Sequence, residues 1–223
     1  MKTLQELCNT NALMKTYMET ESGYGTDKGD CHGYIEAYGE LLKNLQHKPV
    51  TICEVGVAGG GSIYLWDRYF THPDTVIYGV DVQFPHGHNS WKQLKSLFTP
   101  RVKFLEVDIN SINSTVLSSM KFDFVLDDGS HNLVDQVAFV RFFLPKMNSK
   151  GILMIEDVLP DDWNDNKIPH KSNTIDNINV ARLVAELPHA SFIDNRRKPR
   201  YLEWNGGGFY SEASIVVVYE KDK

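Results

Sequence analysis

From about residue 50 onward, short apolar runs alternate with longer stretches of helical character, the pattern of a parallel sheet covered by helices on both faces. The runs at residues 50–55, 75–80, 102–107, 122–126 and 151–155 are apolar on both faces, as strands buried in a parallel sheet require. Helices are expected between them over 62–70, 90–97, 111–119 and 132–145. A polar loop rich in Pro and Asp follows over 159–173, then a helix over 175–187. Two last strands, near 191–194 and 214–220, are expected to pair as an antiparallel hairpin at the sheet edge, with Gly206, Gly207 and Gly208 in its connection. The fold class this predicts is α/β, a Rossmann-like, mostly parallel sheet of seven strands closed by that hairpin.

The first 48 residues stand apart from the alternation. They predict two helices separated by a turn, Gly23-Tyr24-Gly25-Thr26-Asp27-Lys28-Gly29. The domain reading is an N-terminal helical extension over 1–48 and a main domain over 49–223. The extension is either packing material or a lid over a ligand.

Composition narrows the partners. With 23 basic against 29 acidic side chains and a net charge of −6, there is no electrostatic reason to expect nucleic acid. Cys8, Cys31 and Cys53 are odd in number and form no C-x-x-C pair, which argues against a disulfide framework or a cysteine-rich zinc site. Reducing, cytoplasmic surroundings are expected. Residues 1–20 lack the continuous apolar core of a signal peptide, and no run approaches the length of a membrane span.

Glu54-Val55-Gly56-Val57-Ala58-Gly59-Gly60-Gly61-Ser62 follows a strand and opens a helix, so backbone can approach a ligand where side chains would collide. Ala58 stands where a dinucleotide fingerprint needs its second glycine to admit a pyrophosphate, which argues against a nicotinamide-dependent oxidoreductase. Glu54, Gly56 and Ser62 are the loop's expected cofactor contacts. Asp81 ends the second strand, where a carboxylate accepts from both ribose hydroxyls, its structural alternative being a helix cap. Asp108, at the end of the third strand, is placed to reach an adenine edge or to cap the next helix.

The fourth strand ends in Asp127-Asp128-Gly129-Ser130-His131 and the fifth in Ile155-Glu156-Asp157. Ligands of open parallel sheets bind at the carboxyl ends of strands, and adjacent strands lie about 4.8 Å apart, so four carboxylates converge. Left alone they repel one another, whereas a hard divalent cation removes the repulsion. Mg²⁺ is the natural candidate, with Mn²⁺ or Ca²⁺ next. Asp127 and Asp128 point to opposite sides of a strand and are expected to divide between cofactor and metal. Capping of the following helices is the structural alternative for these acids. His131 lies on the same rim. A hydroxyl with a pKa of about 15.7 is roughly nine units above histidine, an uphill transfer on the order of 12 kcal/mol unless a cation acidifies it first. With that help a histidine can serve as general base.

Taken together, Gly25-Thr26-Asp27-Lys28 with His32 and Tyr34, Glu54-Val55-Gly56, Gly60-Gly61-Ser62 with Trp66, Asp127-Asp128-Gly129-Ser130-His131 and Ile155-Glu156-Asp157 resemble the magnesium-dependent macrolide sugar O-methyltransferases of the macrocin and mycinamicin type. The resemblance runs over about residues 23–157. It implies a class I methyltransferase fold, S-adenosylmethionine against Gly56, Asp81 and Asp127, a metal held by Asp128, Glu156 and Asp157, and His131 as the base. No counterpart of the large N-terminal domain of those enzymes is expected over these 223 residues, and a smaller sugar is the expected acceptor, whether free, nucleotide-linked or part of a surface polysaccharide. A homo-oligomer is compatible with the sequence. Arg196, Arg197, Lys198 and Arg200 form either a solvated loop or a contact for a substrate phosphate. The competing readings are a non-catalytic nucleotide- or metal-binding protein of the same fold and a methyltransferase acting on a small non-sugar diol.

Overall fold

The computed structural model describes residues 2–10, 26, 28–29, 33–84, 89–158, 187, 190–194 and 215–222. The loop expected over 159–173, nearly all of the helix over 175–187, the basic stretch Arg196–Arg200, the glycines 206–208, His32 and most of the 23–29 turn lie outside the described residues. The chain forms two compact units, Met1–Val107 and Asp108–Lys223.

The first unit holds three parallel strands, β1 (Thr51–Val55), β2 (Val76–Asp81) and β3 (Val102–Glu106), in the order β3-β2-β1. Ile52 pairs with Ile77 and Val55 with Val80, and all four side chains are buried, which is why these runs carry no polar alternation. Its helices are α1 (Leu4–Thr10), α2 (Tyr34–Leu42), α3 (Gly61–Tyr69) and α4 (Asn89–Lys95). A reciprocal pair of bonds starts α1: Glu6 N–H donates to Thr3 Oγ1 and Thr3 N–H to Glu6 Oε2, the capping-box exchange. Tyr34, Tyr38 and Leu42 repeat every four residues and form the buried stripe of α2, which meets α3 where Tyr38 lies 5.9 Å from the Trp66 ring. Phe84, Trp91 and Phe104 close the unit beside β3, Phe84 and Trp91 being stacked at 5.2 Å.

The second unit holds β4 (Phe122–Asp127), β5 (Met147–Ile155), β6 (Ser191–Asp194) and β7 (Ile215–Glu220), in the order β4-β5-β7-β6. β4 and β5 are parallel, and β7 is antiparallel to both β5 and β6, which is the expected C-terminal antiparallel pair. Helix α5 (Leu133–Phe143) buries Phe139 and Phe143, and Phe143 packs on Phe122 of β4 at 5.2 Å.

One expected element is different. Residues 111–119 are not an α-helix but two 3-10 turns, Ile109–Ser114 and Val116–Ser119, parted by an extended Thr115. Asp108 Oδ1 accepts from Asn110 N–H, and Thr115 Oγ1 from Leu117 N–H. Short polar side chains that satisfy nearby backbone in this way compete with the α-helical ladder. No helix among the described residues is long and apolar enough to cross a membrane.

Candidate cofactor loop and metal centre

Where β1 ends, the chain turns through Gly56 at φ 90° and Ala58 at φ 43° and enters α3 at Gly60, φ 88°. A Cβ on Gly60 would stand 2.9 Å from Trp91 Cζ3 and 3.0 Å from Leu94 Cδ2, so this position needs glycine for space as well as for conformation. Two carboxylates hold the loop. Asp81 Oδ2 accepts from Val57 N–H (2.8 Å) and Ala58 N–H (3.0 Å), and its Oδ1 accepts from Gln83 N–H (3.3 Å). Glu54 is fully buried: Oε1 accepts from Ser62 Oγ (2.6 Å), Oε2 from Trp66 Nε1, and Lys28 Nζ lies 3.7 Å from Oε1.

Glu54, Ser62 and Asp81 are expected from sequence to lie against a cofactor. The structure brings them to the loop but shows Glu54 and Ser62 turned toward each other inside the protein, fixing the loop from behind. Asp81 clamps the loop to the tip of β2, and three donors on a carboxylate with about four acceptor sites leave room for one more. Asp108 is exposed, and its Oδ1 takes both the backbone N–H and the side-chain amide of Asn110.

In the second unit, the ends of β4 and β5 bring Asp128, His131 and Asp157 together, with one ligand atom from each within 4.8 Å of the others. His131 Nε2 lies 3.7 Å from Asp157 Oδ2. Both residues are left-handed, His131 at φ 59° and Asp157 at φ 51°, conformations that cost side-chain-bearing residues roughly 1–3 kcal/mol and that gather at functional sites. Ser130 Oγ donates to Asp135 Oδ2 (2.5 Å) and accepts from Asn132 N–H (3.3 Å), which holds the turn that carries His131.

Asp127 is buried beside this trio. Burial pushes its carboxyl up to about 7, with Asp128 and Asp135 adding to the effect and the Gly129 N–H and His131 opposing it. Its Oδ1 accepts from Gly129 N–H (3.2 Å), while Oδ2 is out of solvent without a hydrogen-bond partner. Glu156 is also buried and stands outside the trio. Its N–H donates to the Asp127 carbonyl (2.9 Å), and its own carbonyl accepts from Gln136 Nε2 (3.4 Å).

Two carboxylates and an imidazole within 4.8 Å fit a divalent cation, whose oxygen and nitrogen ligands at about 2.0–2.6 Å lie up to twice that distance from one another. An unsatisfied buried acceptor next door, Asp127 Oδ2, fits a bound donor group. Sequence reasoning missed Lys28 as the cation facing Glu54, Gln136 as the support of the Glu156 turn, and Asp135 as the brace of Ser130. Each is a polar residue whose role depends on a partner that local pattern does not mark.

No family model matches the chain. Among curated proteins it is 28% identical over 187 residues to the 8-demethyl-8-alpha-L-rhamnosyl tetracenomycin-C 2'-O-methyltransferase of Streptomyces olivaceus, covering 79% of this chain and 47% of that protein. It is 26% identical over 213 residues to the demethylmacrocin O-methyltransferase of Streptomyces fradiae, covering 90% and 52%. Both relatives are O-methyltransferases, the first of a rhamnosyl tetracenomycin.

The chain spans about half the length of the curated relatives it matches. Among solved structures, the MycE methyltransferase of the mycinamycin biosynthetic pathway, in complex with Mg and SAH, superposes with a TM-score of 0.62 at 18% identity, covering 99% of this chain and 55% of that one. The fold is thus the Rossmann-like methyltransferase fold, with a mostly parallel sheet and a C-terminal antiparallel pair. The acidic and histidine residues at the tips of β4 and β5 stand at the carboxyl ends of parallel strands, where such sheets take their ligands.

Proposed function

We propose that this chain is an S-adenosylmethionine- and divalent-metal-dependent O-methyltransferase whose acceptor is a sugar hydroxyl. The observation that carries the reading is the convergence of Asp128, His131 and Asp157 at the tips of β4 and β5, in a chain whose homologues methylate sugars. Gly56, Asp81, Asp108 and Asp127 are the residues assigned to the methyl donor, with Glu54 and Ser62 fixing the loop that receives it. Asp128, Glu156 and Asp157 are assigned to the cation, Mg²⁺ first and Mn²⁺ or Ca²⁺ as alternatives. The class I form of the fold, with residues 1–48 as a helical extension of a methyltransferase domain over 49–223, belongs to the same proposal.

When bound, S-adenosylmethionine supplies the methyl group, and the cation makes a coordinated hydroxyl more acidic. His131 Nε2 would take the proton that the acceptor hydroxyl gives up in the transfer. Asp157, 3.7 Å from that nitrogen, steadies the imidazolium that results. Asp81 keeps the glycine loop in register with the end of β2.

The relatives act on rhamnosyl tetracenomycin and demethylmacrocin, which makes a glycoside one acceptor class and a nucleotide-sugar, with the basic stretch 196–200 at its phosphates, the other. The deciding experiment incubates the protein with methyl-labelled S-adenosylmethionine and both acceptor classes, with Mg²⁺ and after chelation. Label transferred to a sugar hydroxyl only when Mg²⁺ is present is expected; no transfer to any hydroxyl-bearing sugar, or transfer indifferent to the metal, sinks the proposal. A second reading makes His131 a metal ligand, favoured by its ring nitrogen lying within the same 4.8 Å set.

A further inference from the structure

Lysine is among the residues least often fully buried, yet Lys28 has no exposed surface. Its backbone is fixed locally: its N–H donates to Thr26 Oγ1 (3.4 Å), and its carbonyl accepts from Tyr34 N–H (2.7 Å) and Ile35 N–H (3.3 Å) at the start of α2. Its ammonium lies 3.7 Å from Glu54 Oε1, and the Glu54 side chain is equally inaccessible. Glu54 is the penultimate residue of β1, and Ser62, which donates to the same Oε1, is the second residue of α3. One carboxylate therefore bridges both ends of the glycine loop, with Trp66 securing its other oxygen one turn further along α3.

Removing one partner of a buried ion pair is far costlier than replacing both by neutral groups. The loop geometry set by Glu54 thus depends on a residue from the N-terminal segment that no chemical step requires. We propose that Lys28 is a positioning residue for the cofactor loop: its ammonium, delivered by the turn before α2, holds Glu54 as the anchor that joins the two ends of the loop. This rests on the reading of that loop as the S-adenosylmethionine site. It gives Lys28, the last residue of the Gly25-Thr26-Asp27-Lys28 motif, a physical purpose, since its ammonium secures the loop from behind.

The test uses the full chain carrying Lys28→Met, and the double variant Lys28→Met/Glu54→Gln, in which both charges of the pair are removed. Hydrogen exchange of the amides over 56–62 reads the loop without any ligand, and titration with S-adenosylmethionine reads the site. In Lys28→Met the loop amides should lose protection while those of β2 and β3 keep theirs, affinity should fall by about 10-fold or more, and turnover at saturating S-adenosylmethionine should fall far less. The double variant should regain loop protection and part of the affinity. A folded Lys28→Met protein with native loop protection overturns the proposal, as does a double variant that fails to fold or whose loop stays unprotected. If Lys28→Met does not fold, the double variant decides by the same readout. Native protein that binds no S-adenosylmethionine would defeat the functional reading alone, because the exchange measurement still judges the role of Lys28.

Discussion

The proposed chemistry turns on His131, whose two readings separate cleanly. As general base it touches the acceptor proton, so His131→Ala should leave Mg²⁺ and S-adenosylmethionine affinity near native and lower the rate of methyl transfer by about 10²–10⁴. Single-turnover rates and metal titration check this together. A variant whose main defect is weak metal binding identifies His131 as a ligand instead. Cys53, beside Glu54 on β1, offers a simpler test. Burial, and after it the charge of Glu54, hold its thiol well above the usual range, so little thiolate forms at neutral pH. Iodoacetamide should spare the Cys53 peptide in native protein and label it in urea, as read by mass spectrometry; equal labelling in both would show that β1 is not the closed strand described. The acids at the strand tips were legible in the sequence because position at a strand end is a local property. Lys28 was not, because nothing local marks a lysine whose counter-charge lies on Glu54, in another element. Its motif was visible and its purpose was not.

Among elements, the strands were the most legible, since a run apolar on both faces has few places to go other than the inside of a parallel sheet. The 111–119 segment failed the same reading because the side chains of Asp108, Thr115 and their neighbours bond to backbone within two or three residues, an outcome that apolar spacing does not report. The junction of α3 and β3 depends on a contact that pattern could not show either. Arg101 donates to the carbonyls of Asp67, Phe70 and His72 and to Asp67 Oδ1, and Asp67 in turn accepts from the Thr99 N–H and hydroxyl. Asp67 is buried and Arg101 nearly so, so Arg101→Met leaves a buried carboxylate short of its cation and frees the carbonyls that end α3. A loss of about 3 kcal/mol is expected, seen as a lower urea midpoint at unchanged slope. An unchanged midpoint would mean that water replaces the guanidinium without cost.

At the scale of the whole molecule, the residues assigned to the methyl donor divide between the two compact units, Gly56 and Asp81 in the first and Asp108 and Asp127 in the second, which also holds all those assigned to the metal. The glycine loop, its Glu54 anchor and Asp81 lie within Met1–Val107, and the trio of Asp128, His131 and Asp157 lies within Asp108–Lys223. Asp128, Glu156 and Asp157, the residues assigned to the cation, are not part of the loop, so removal of the cation leaves the bonds that shape the loop in place. Dialysis against a chelator should therefore abolish transfer, and Mg²⁺ should restore it, while S-adenosylmethionine affinity measured by calorimetry changes little. The converse holds for Asp81→Ala. That change removes the acceptor of the Val57 and Ala58 amides together with the ribose contact assigned to it, and each bond to a charged acceptor is worth roughly 1.5–3 kcal/mol. It should weaken S-adenosylmethionine binding by at least about 10-fold and leave Mg²⁺ affinity alone. Loss of donor affinity on chelation would place the cation against the donor and not against the acceptor hydroxyl, and the acidifying role assigned to it would fall.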